Sequence, residues 1–445
     1  MKEAKGLKVE RIALHGYGIA HFQGKTIFIP YTAIGDIVDI RITQEKKDIA
    51  FGSVIRYQSR PNEIIEAPCE AFGPKGQCGG CDWLMAPYKT QLRWKDILIK
   101  GIFEPFVDPA LIQEITPSPV EYGYRNKAFF PVSSRKGRLI FGMYQSWTHT
   151  VIPHKACQIQ MPIFDKIAQR VIELAQKSKV QAYEETKHAG NLRQIGFRSS
   201  SDGKEILLIL VTKSARLPFS NLLVKQITSE FPKITGIIQN IQRNRSNVIL
   251  GDDDRVLWGK AFITERFHGL SFRVHYRSFL QVNPGASSLI VDTMREQLGS
   301  AKRVIDAYSG IGTIGLSLAS QIRELSLIEE VPEAVEDARR NAELNKIKDV
   351  EFYCGRVEDL LGKVITRDQD AIILDPPRSG LAEQVPGVIA RARIPKVLYL
   401  SCNPMTLARD LKSFLAKGYS LKLLKPFDMF PQTWHIETLA VLERT

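Results

Sequence analysis

The 445-residue sequence predicts three parts: a C-terminal α/β domain built on a parallel sheet, an α+β central domain, and a small N-terminal β-barrel. Three observations predict this. From Val304 onward, β-like and α-like segments alternate, the pattern of a parallel sheet with helices on both faces. Before that, from about Pro61 to about residue 265, strands and helices mix in a cysteine-bearing stretch. Residues 1–58 consist of short apolar runs punctuated by glycine, as in several short strands joined by turns. The expected units are therefore 1–58, 59–265 and 266–445, with residues about 89–120 free to pack with the last.

Composition supports a globular, multidomain chain. Hydrophobic residues make up 44% and charged residues 24%, which excludes a disordered, collagen-like or coiled-coil rod protein. The longest apolar run, Ile206 to Val211, falls far short of the ~20 residues that span a bilayer. Lysines at the start are followed by no apolar stretch of the secretory kind, so a cytoplasmic protein without membrane contact is expected. Six cysteines are too few for a disulfide scaffold and read as ligands or reactive groups. Of 61 basic and 48 acidic side chains, residues 301–445 hold 20 of each, so the whole excess of +13 lies in residues 1–300. A basic part beside a neutral one suits a polyanion-binding module joined to a catalytic module, although solubility alone could also use such a charge.

In the N-terminal part, Lys25–Ile29 is β-rich, and Val38, Ile40 and Ile42 alternate with Asp39 and Arg41. Gly16, Gly18, Gly24 and Gly35 lie between apolar runs, where positive φ is expected. The run from His15 to Ala20, followed by Ile29-Pro30 and Gly35-Asp36, resembles a TRAM domain, an OB-like RNA-binding barrel. Farther on, Phe164 to Lys177 has helical spacing, Glu205 to Thr212 is a nearly continuous apolar strand, and Lys89 to Ile99 looks helical.

The strand Arg303–Asp306 leads into a loop where Gly310, Gly312 and Gly315 spell G-x-G-x-x-G, followed by a helix. Such a turn brings backbone N–H groups and a helix N-terminus close to a ligand, in a Rossmann-like arrangement. Glu329 follows at the distance of a carboxylate that grips ribose hydroxyls. The motif alone fits a nicotinamide dehydrogenase and an S-adenosylmethionine (SAM) methyltransferase about equally. Two later strand ends separate them: Ala371–Leu374 ends in Asp375-Pro-Pro-Arg378, and Val397–Leu400 ends in Ser401-Cys-Asn-Pro404. Hydride transfer has no need of a cysteine there. Asp-Pro-Pro also occurs in methyltransferases acting on base amino groups, but there an aromatic residue follows, and here Arg378 does.

Carbon 5 of uracil is too weak a nucleophile to take a methyl group unaided. A thiolate adding to carbon 6 turns the ring into an enolate; a base then removes the proton from carbon 5, and the thiolate leaves. Cys402, beside the cofactor edge and ahead of a helix from Met405 whose positive end would favour a thiolate, suits that role; a buried structural cysteine is the alternative.

On these residues the chain resembles the RNA uracil-5-methyltransferase family along nearly its whole length. The match is to Tyr399–Asp410 around the nucleophile and to His435–Thr438, where the resemblance makes Glu437 the proton acceptor. It further implies SAM contacts at Gln281, Tyr308, Gly310, Glu329 and Asp375, with Asp375 facing both donor and uracil. Gly123–Lys127 resembles a family segment near the substrate, although Arg125 could equally be a surface charge.

Cys69, Cys78, Cys81 and Cys157 lie in the basic part, with Cys78 and Cys81 at C-x-x-C spacing. Zinc commonly takes two such pairs, and iron–sulfur clusters accept more irregular spacing. The resemblance implies a [4Fe-4S] cluster on these four cysteines. Between Cys69 and Cys78 the chain is longer than is usual in the family, implying an enlarged loop around Gly73 to Gly76. Cys354 is left over and is expected in the core.

The expected function is SAM-dependent methylation of a uridine in 23S ribosomal RNA, because barrel and cluster together resemble that branch. The alternatives are the transfer-RNA T-loop enzyme type and a non-catalytic RNA-binding assembly protein. No obligate protein partner is evident.

Overall fold

The computed structural model describes residues 2–365 and 368–445. At the N-terminus, six strands between Glu3 and Ser59 form one sheet. The strand Glu3–Lys8 pairs at one edge with Ile37–Glu45, and Arg11–Ile12 pairs at the other with Gly18–Phe22. Only Val9 and Glu10 separate those two edge strands, which brings the two edges of the sheet near each other. Leu7, Val9, Ala20, Ile27, Val38 and Ile40 fill its own small core. Gly16, Gly24 and Gly35 take positive φ as expected, but Gly18 lies in a strand. It is glycine for a different reason: a Cβ there would sit 2.2 Å from Thr32 Oγ1. Asp39 is buried as well, despite the alternation, because Gly6 N–H (2.9 Å), Gln58 (2.7 Å) and Arg56 (2.8 Å) all donate to it.

The central part is a seven-stranded sheet in the order Asp253–Gly259, Ile234–Ile241, Ile206–Thr212, Leu192–Ser199, Lys127–Arg135, Arg138–Tyr144, Val151–Pro153. Every residue of Ile206–Thr212 is buried, which explains its continuous apolar run. Its side chains alternate between two cores. Ile206, Leu208 and Leu210 face the helices Pro162–Lys177 and Ser220–Glu230. Leu207, Ile209 and Val211 enter a core shared with the C-terminal domain. The hairpin Phe262–Phe267/Leu270–His275 contributes Ile263, Phe272 and Val274 to that shared core. The boundary expected at 265/266 thus falls inside the first strand of this hairpin.

The C-terminal sheet has the order Val350–Cys354, Glu324–Glu329, Arg303–Ala307, Ala371–Leu374, Lys396–Ser401, Glu437–Arg444, Tyr419–Phe427. The first five strands are parallel, as the alternating pattern predicts. The last two depart from it: Glu437–Arg444 runs antiparallel to both its neighbours. Residues 428–436 are too few for the crossover that a parallel return would need, so the chain doubles back. Cys354, expected in the core, is exposed, because its strand is the sheet's edge and only half faces the interior.

Side chains of this sheet alternate between two faces. Ile305, Ile372, Leu374, Val397 and Tyr399 share one core with Trp94, Leu98, Ile99 and Phe103 of the helix Tyr88–Phe103. That helix therefore covers the C-terminal sheet and lies outside the central sheet's cores. Its Lys95 is fully buried against an equally buried Asp428 at 2.6 Å. The ammonium's two further hydrogen bonds go to the carbonyls of Phe430 (3.2 Å) and His435 (3.0 Å), so all three of its donors are used. Next to it, Gln91 exchanges two hydrogen bonds with Gln432: its amide donates to Gln432 Oε1 (2.8 Å), and its Oε1 accepts from Gln432 N–H (2.9 Å). A buried pair with satisfied donors is tolerated, but removing one partner strands the other charge. Lys95→Met should accordingly cost about 3–5 kcal/mol in urea unfolding, and adding Asp428→Asn to the same chain should recover part of the loss.

Candidate active site

The strand Arg303–Ala307 sits at the switch point of the sheet, where successive strands are laid down on opposite sides and ligands bind beyond the carboxyl ends. Beyond its end, Tyr308, Gly310 and Gly312 all take positive φ before the short helix Thr313–Leu318 begins. Gly315 N–H donates to Asp306 Oδ2 at 2.9 Å, and a Cβ on Gly315 would lie 2.7 Å from that same oxygen. The third glycine of the motif thus locks helix to strand. Glu329, at the end of the next strand, holds the loop from the other side. Its Oε2 accepts from Gly310 N–H and its Oε1 from Val331 N–H, both at 2.9 Å.

Across the switch point, Asp375 directly follows Ala371–Leu374, and Cys402 directly follows Lys396–Ser401. Ser401 pairs with Thr438, which places Glu437, the first residue of its strand, beside Cys402 at the same sheet edge. The helix Pro404–Leu415 begins just beyond Cys402, and Asn403 caps it by accepting from Met405 N–H at 3.1 Å.

Burial dominates the electrostatics here. The Glu437 carboxyl is pushed well above its ordinary range by burial and by the charge of Asp375, with Arg378 opposing. Asp375 is raised to about 7 by burial. Cys402 is raised to about 11, chiefly by burial and then by Glu437 and Asp375, with Arg378 opposing. A helix end that favours the thiolate is therefore outweighed by burial, which, with the nearby carboxyl groups adding to it, favours the neutral thiol. A nucleophile, a carboxyl poised to exchange protons and a neighbouring cation, all beside a glycine loop, can perform covalent addition followed by proton abstraction.

The residues singled out from sequence come together. Cys402, Glu437, Asp375, Tyr308, Gly310 and Glu329 all lie at the carboxyl edge of one sheet. Gln281, ahead of the helix Pro284–Leu298, lines a large open cleft together with Arg378, Arg125 and His435. Arg125 is no surface charge: its Nε is buried, and the guanidinium lies 5.6 Å from the Phe430 ring. Cys69, Cys78, Cys81 and Cys157 line a second cavity, which shares Gly80, Cys81 and Met143 with this cleft. Sequence reasoning missed Asp306, Lys95 and Asp428. Asp306 could have been found as an acid in an otherwise apolar strand, but nothing local marks the other two.

Asp306 is pushed up to about 8 by burial and, further, by the charges of Asp375 and Glu329. A carboxyl raised above its unfolded value keeps its contribution to stability below about pH 4 and loses it as pH rises toward 8. Asp306→Asn should therefore gain stability relative to the natural chain between pH 5 and pH 8, read from urea midpoints. A gap that stays constant over that range would contradict the buried, neutral carboxyl.

Comparison with known proteins gives this geometry a family. The sequence model described as tRNA (uracil-5-)-methyltransferase matches residues 87–445. The model of the TRAM domain of tRNA (uracil(54)-C(5))-methyltransferase matches residues 6–53. A protein of Halalkalibacterium halodurans described as an uncharacterized RNA methyltransferase is 38% identical over 444 residues, covering 98% of this chain and 96% of the relative. One of Lactobacillus johnsonii with the same description is 33% identical over 444 residues, covering 99% and 98%. The crystal structure of Pyrococcus abyssi tRNA (uracil-54, C5)-methyltransferase in complex with S-adenosyl-L-homocysteine superposes with a TM-score of 0.79 at 27% identity, covering 98% of this chain and 99% of that one. With its glycine loop, its cysteine and its carboxyl groups at one sheet edge, the chain belongs to the tRNA (uracil-5-)-methyltransferase family and is a SAM-dependent RNA uracil-5-methyltransferase carrying a TRAM domain.

Proposed function

We propose that the chain methylates carbon 5 of a specific uridine in 23S ribosomal RNA, with Cys402 as nucleophile and Glu437 as base. The observation that carries the chemistry is the register of two strands: Ser401 opposite Thr438 sets the thiol and the carboxyl side by side at the cofactor edge. Cys402, which is only partly buried, gives up its proton to solvent, and its thiolate adds to carbon 6 of the uracil; Arg378, which acts on both Cys402 and Glu437, offsets the negative charge that develops. Bound SAM supplies the electrophilic methyl group that carbon 5 takes up. Glu437 then removes the proton from carbon 5, the 5,6 double bond re-forms, and Cys402 leaves. Its raised affinity for protons suits that task. Asp375 faces both donor and uracil. Tyr308, Gly310, Glu329 and Gln281 would hold the cofactor.

The sheet of residues 1–58 serves as an OB-like RNA-binding barrel, residues from 59 to the hairpin Phe262–Phe267/Leu270–His275 as the central domain, and the remainder, together with the helix Tyr88–Phe103, as the methyltransferase domain, in a cytoplasmic protein. No described helix is long and apolar enough to cross a membrane. A second reading, uridine in the transfer-RNA T-loop, is favoured by the likeness to the Pyrococcus abyssi enzyme. Mapping 5-methyluridine in ribosomal and transfer RNA from a strain lacking the gene decides between them: the modification missing from 23S RNA upholds the first reading, and missing from transfer RNA the second.

The donor set of the central cavity, four thiols, is of the kind that the [4Fe-4S] cluster implied by the resemblance uses. Four thiols line one enclosure, and their mutual charge, added to burial, pushes Cys78 up to about 11 and raises Cys81 and Cys157. Among the described residues no group of three or more His, Cys, Asp or Glu side chains is placed to hold a metal ion. Cys69, Cys78, Cys81 and Cys157 would hold the cluster, which would tie the loop of the first three to the segment after Val151–Pro153. Protein purified without oxygen should be brown and contain about four irons per chain. Stoichiometric zinc without visible absorption would remove the cluster from this reading.

The chemistry predicts two distinct failures. Cys402→Ala should form no RNA adduct and transfer no methyl group. Glu437→Gln should transfer the methyl group and stall with RNA attached through Cys402, giving a SAM-dependent shifted band on a denaturing gel. Full turnover by Glu437→Gln would pass the base role elsewhere.

A further inference from the structure

The cleft in front of the sheet edge is walled by aromatic rings from all three parts of the chain. His15 and Tyr17 come from the N-terminal sheet, Trp147 from the loop between Arg138–Tyr144 and Val151–Pro153, and Trp434 from the segment leading into Glu437. The rings touch in sequence. His15 lies 4.7 Å from Trp434 and 6.0 Å from Trp147, while Trp147 Nε1 donates to the Tyr17 hydroxyl at 3.0 Å.

Two features point to a ligand. Trp147 is 82% exposed, the most exposed of the large apolar side chains in the described chain, although it lies in a cleft. Both Trp147 (φ 62°) and His15 (φ 65°) hold left-handed backbone conformations that side chains of their size rarely adopt. These turns hold both rings out from the packed core, exposed toward the cleft. The same cleft presents Lys46, Arg125 and Arg378. Rings interleaved with cations are the pattern of single-stranded nucleic-acid binding, where every base offers a face to stack and every phosphate a charge to neutralise.

We propose that His15, Tyr17, Trp147 and Trp434 form a stacking track for unpaired nucleotides flanking the target uridine. This rests on the reading of the substrate as RNA. Inserting a base between two rings needs roughly twice the 3.4 Å stacking distance, about 7 Å, and the ring separations of 4.7 and 6.0 Å are smaller. Bases therefore lie on the outer faces, chiefly on Trp147, one after another along the cleft. Paired bases in a duplex have no free face to offer, so the track selects loops and unpaired segments. Trp434 stands three residues before Glu437, so a base stacked there positions its neighbour at the reacting edge.

The test uses the full chain with octauridine and, as a control, an RNA duplex of eight base pairs. Trp83 and Trp94 are fully buried, and Trp258, 39% exposed on the strand Asp253–Gly259, is replaced by Phe in every protein tested, so quenching of tryptophan emission by RNA reports chiefly on Trp147 and Trp434. Octauridine should quench and the duplex should not. Trp147→Ala should lose most of the quenching and weaken octauridine binding about tenfold, while Trp147→Phe keeps most of the affinity. The salt dependence of binding should be the same in both variants as in the natural chain, because no phosphate contact is removed. Unchanged affinity in Trp147→Ala, a flattened salt slope, or equal binding of the duplex would overturn the track. Quenching by a proline-rich peptide and none by octauridine would also overturn it, assigning the rings to a protein partner. Methyl transfer is scored separately. Loss of octauridine binding in Trp147→Ala supports the track even in a preparation that methylates no RNA, and in that case the proposed function is what fails.

Discussion

The buried Lys95–Asp428 pair fixes the segment on which the rest of the site depends. Residues 428–436 cross from the last-but-one strand to the one that begins with Glu437, and they contain no regular secondary structure of their own. Lys95 holds this segment at a side chain and two carbonyls, and Gln91 holds Gln432 by two further bonds. Tyr124 donates to the Pro431 carbonyl at 3.0 Å, and Asp82 accepts from Trp434 N–H at 3.1 Å. A loop tethered from this many directions behaves as a rigid element. Glu437 and Trp434 gain their positions from residues more than 300 places earlier in the chain.

A second constraint is the scarcity of water at the sheet edge. Asp306, Asp375 and Glu437 are three acids within one electrostatic neighbourhood, and burial raises all of them. Arg378, itself exposed, is the cation that opposes the shifts of Cys402 and Glu437. The arrangement keeps charge low until a substrate arrives, and a developing negative charge on uracil then meets one prepared counter-charge.

Much of this was legible in the sequence because it is local. The glycine loop, the acid after Ala371–Leu374 and the cysteine after Lys396–Ser401 each sit in a short strand-to-turn pattern, which a few neighbouring residues define. Glu437 was legible only through family resemblance, since an acid near the end of a chain carries no signal of its own. The Lys95–Asp428 pair was hidden because its partners are far apart in sequence, and a lysine in an amphipathic helix ordinarily reads as solvated. Gly18 was misread as a turn because a glycine demanded by a neighbour's side chain looks the same as one demanded by φ. Cys354 was misplaced because burial depends on a strand's rank in the sheet, which alternation does not reveal.

The strand Ile206–Thr212 sends alternate side chains into two cores, one of them common to the central and C-terminal sheets. Two units that share a core cannot lose their packing one at a time, because separating them would expose Leu207, Ile209 and Val211 together with the facing Phe272 and Val274. The N-terminal sheet, by contrast, encloses most of its apolar residues by itself. In folding terms the chain is closer to two cooperative blocks than to three, with the division falling near residue 60. A nascent chain can close its first block early, whereas the cofactor sheet must wait for its final strand, Glu437–Arg444, which lies between two others and arrives last.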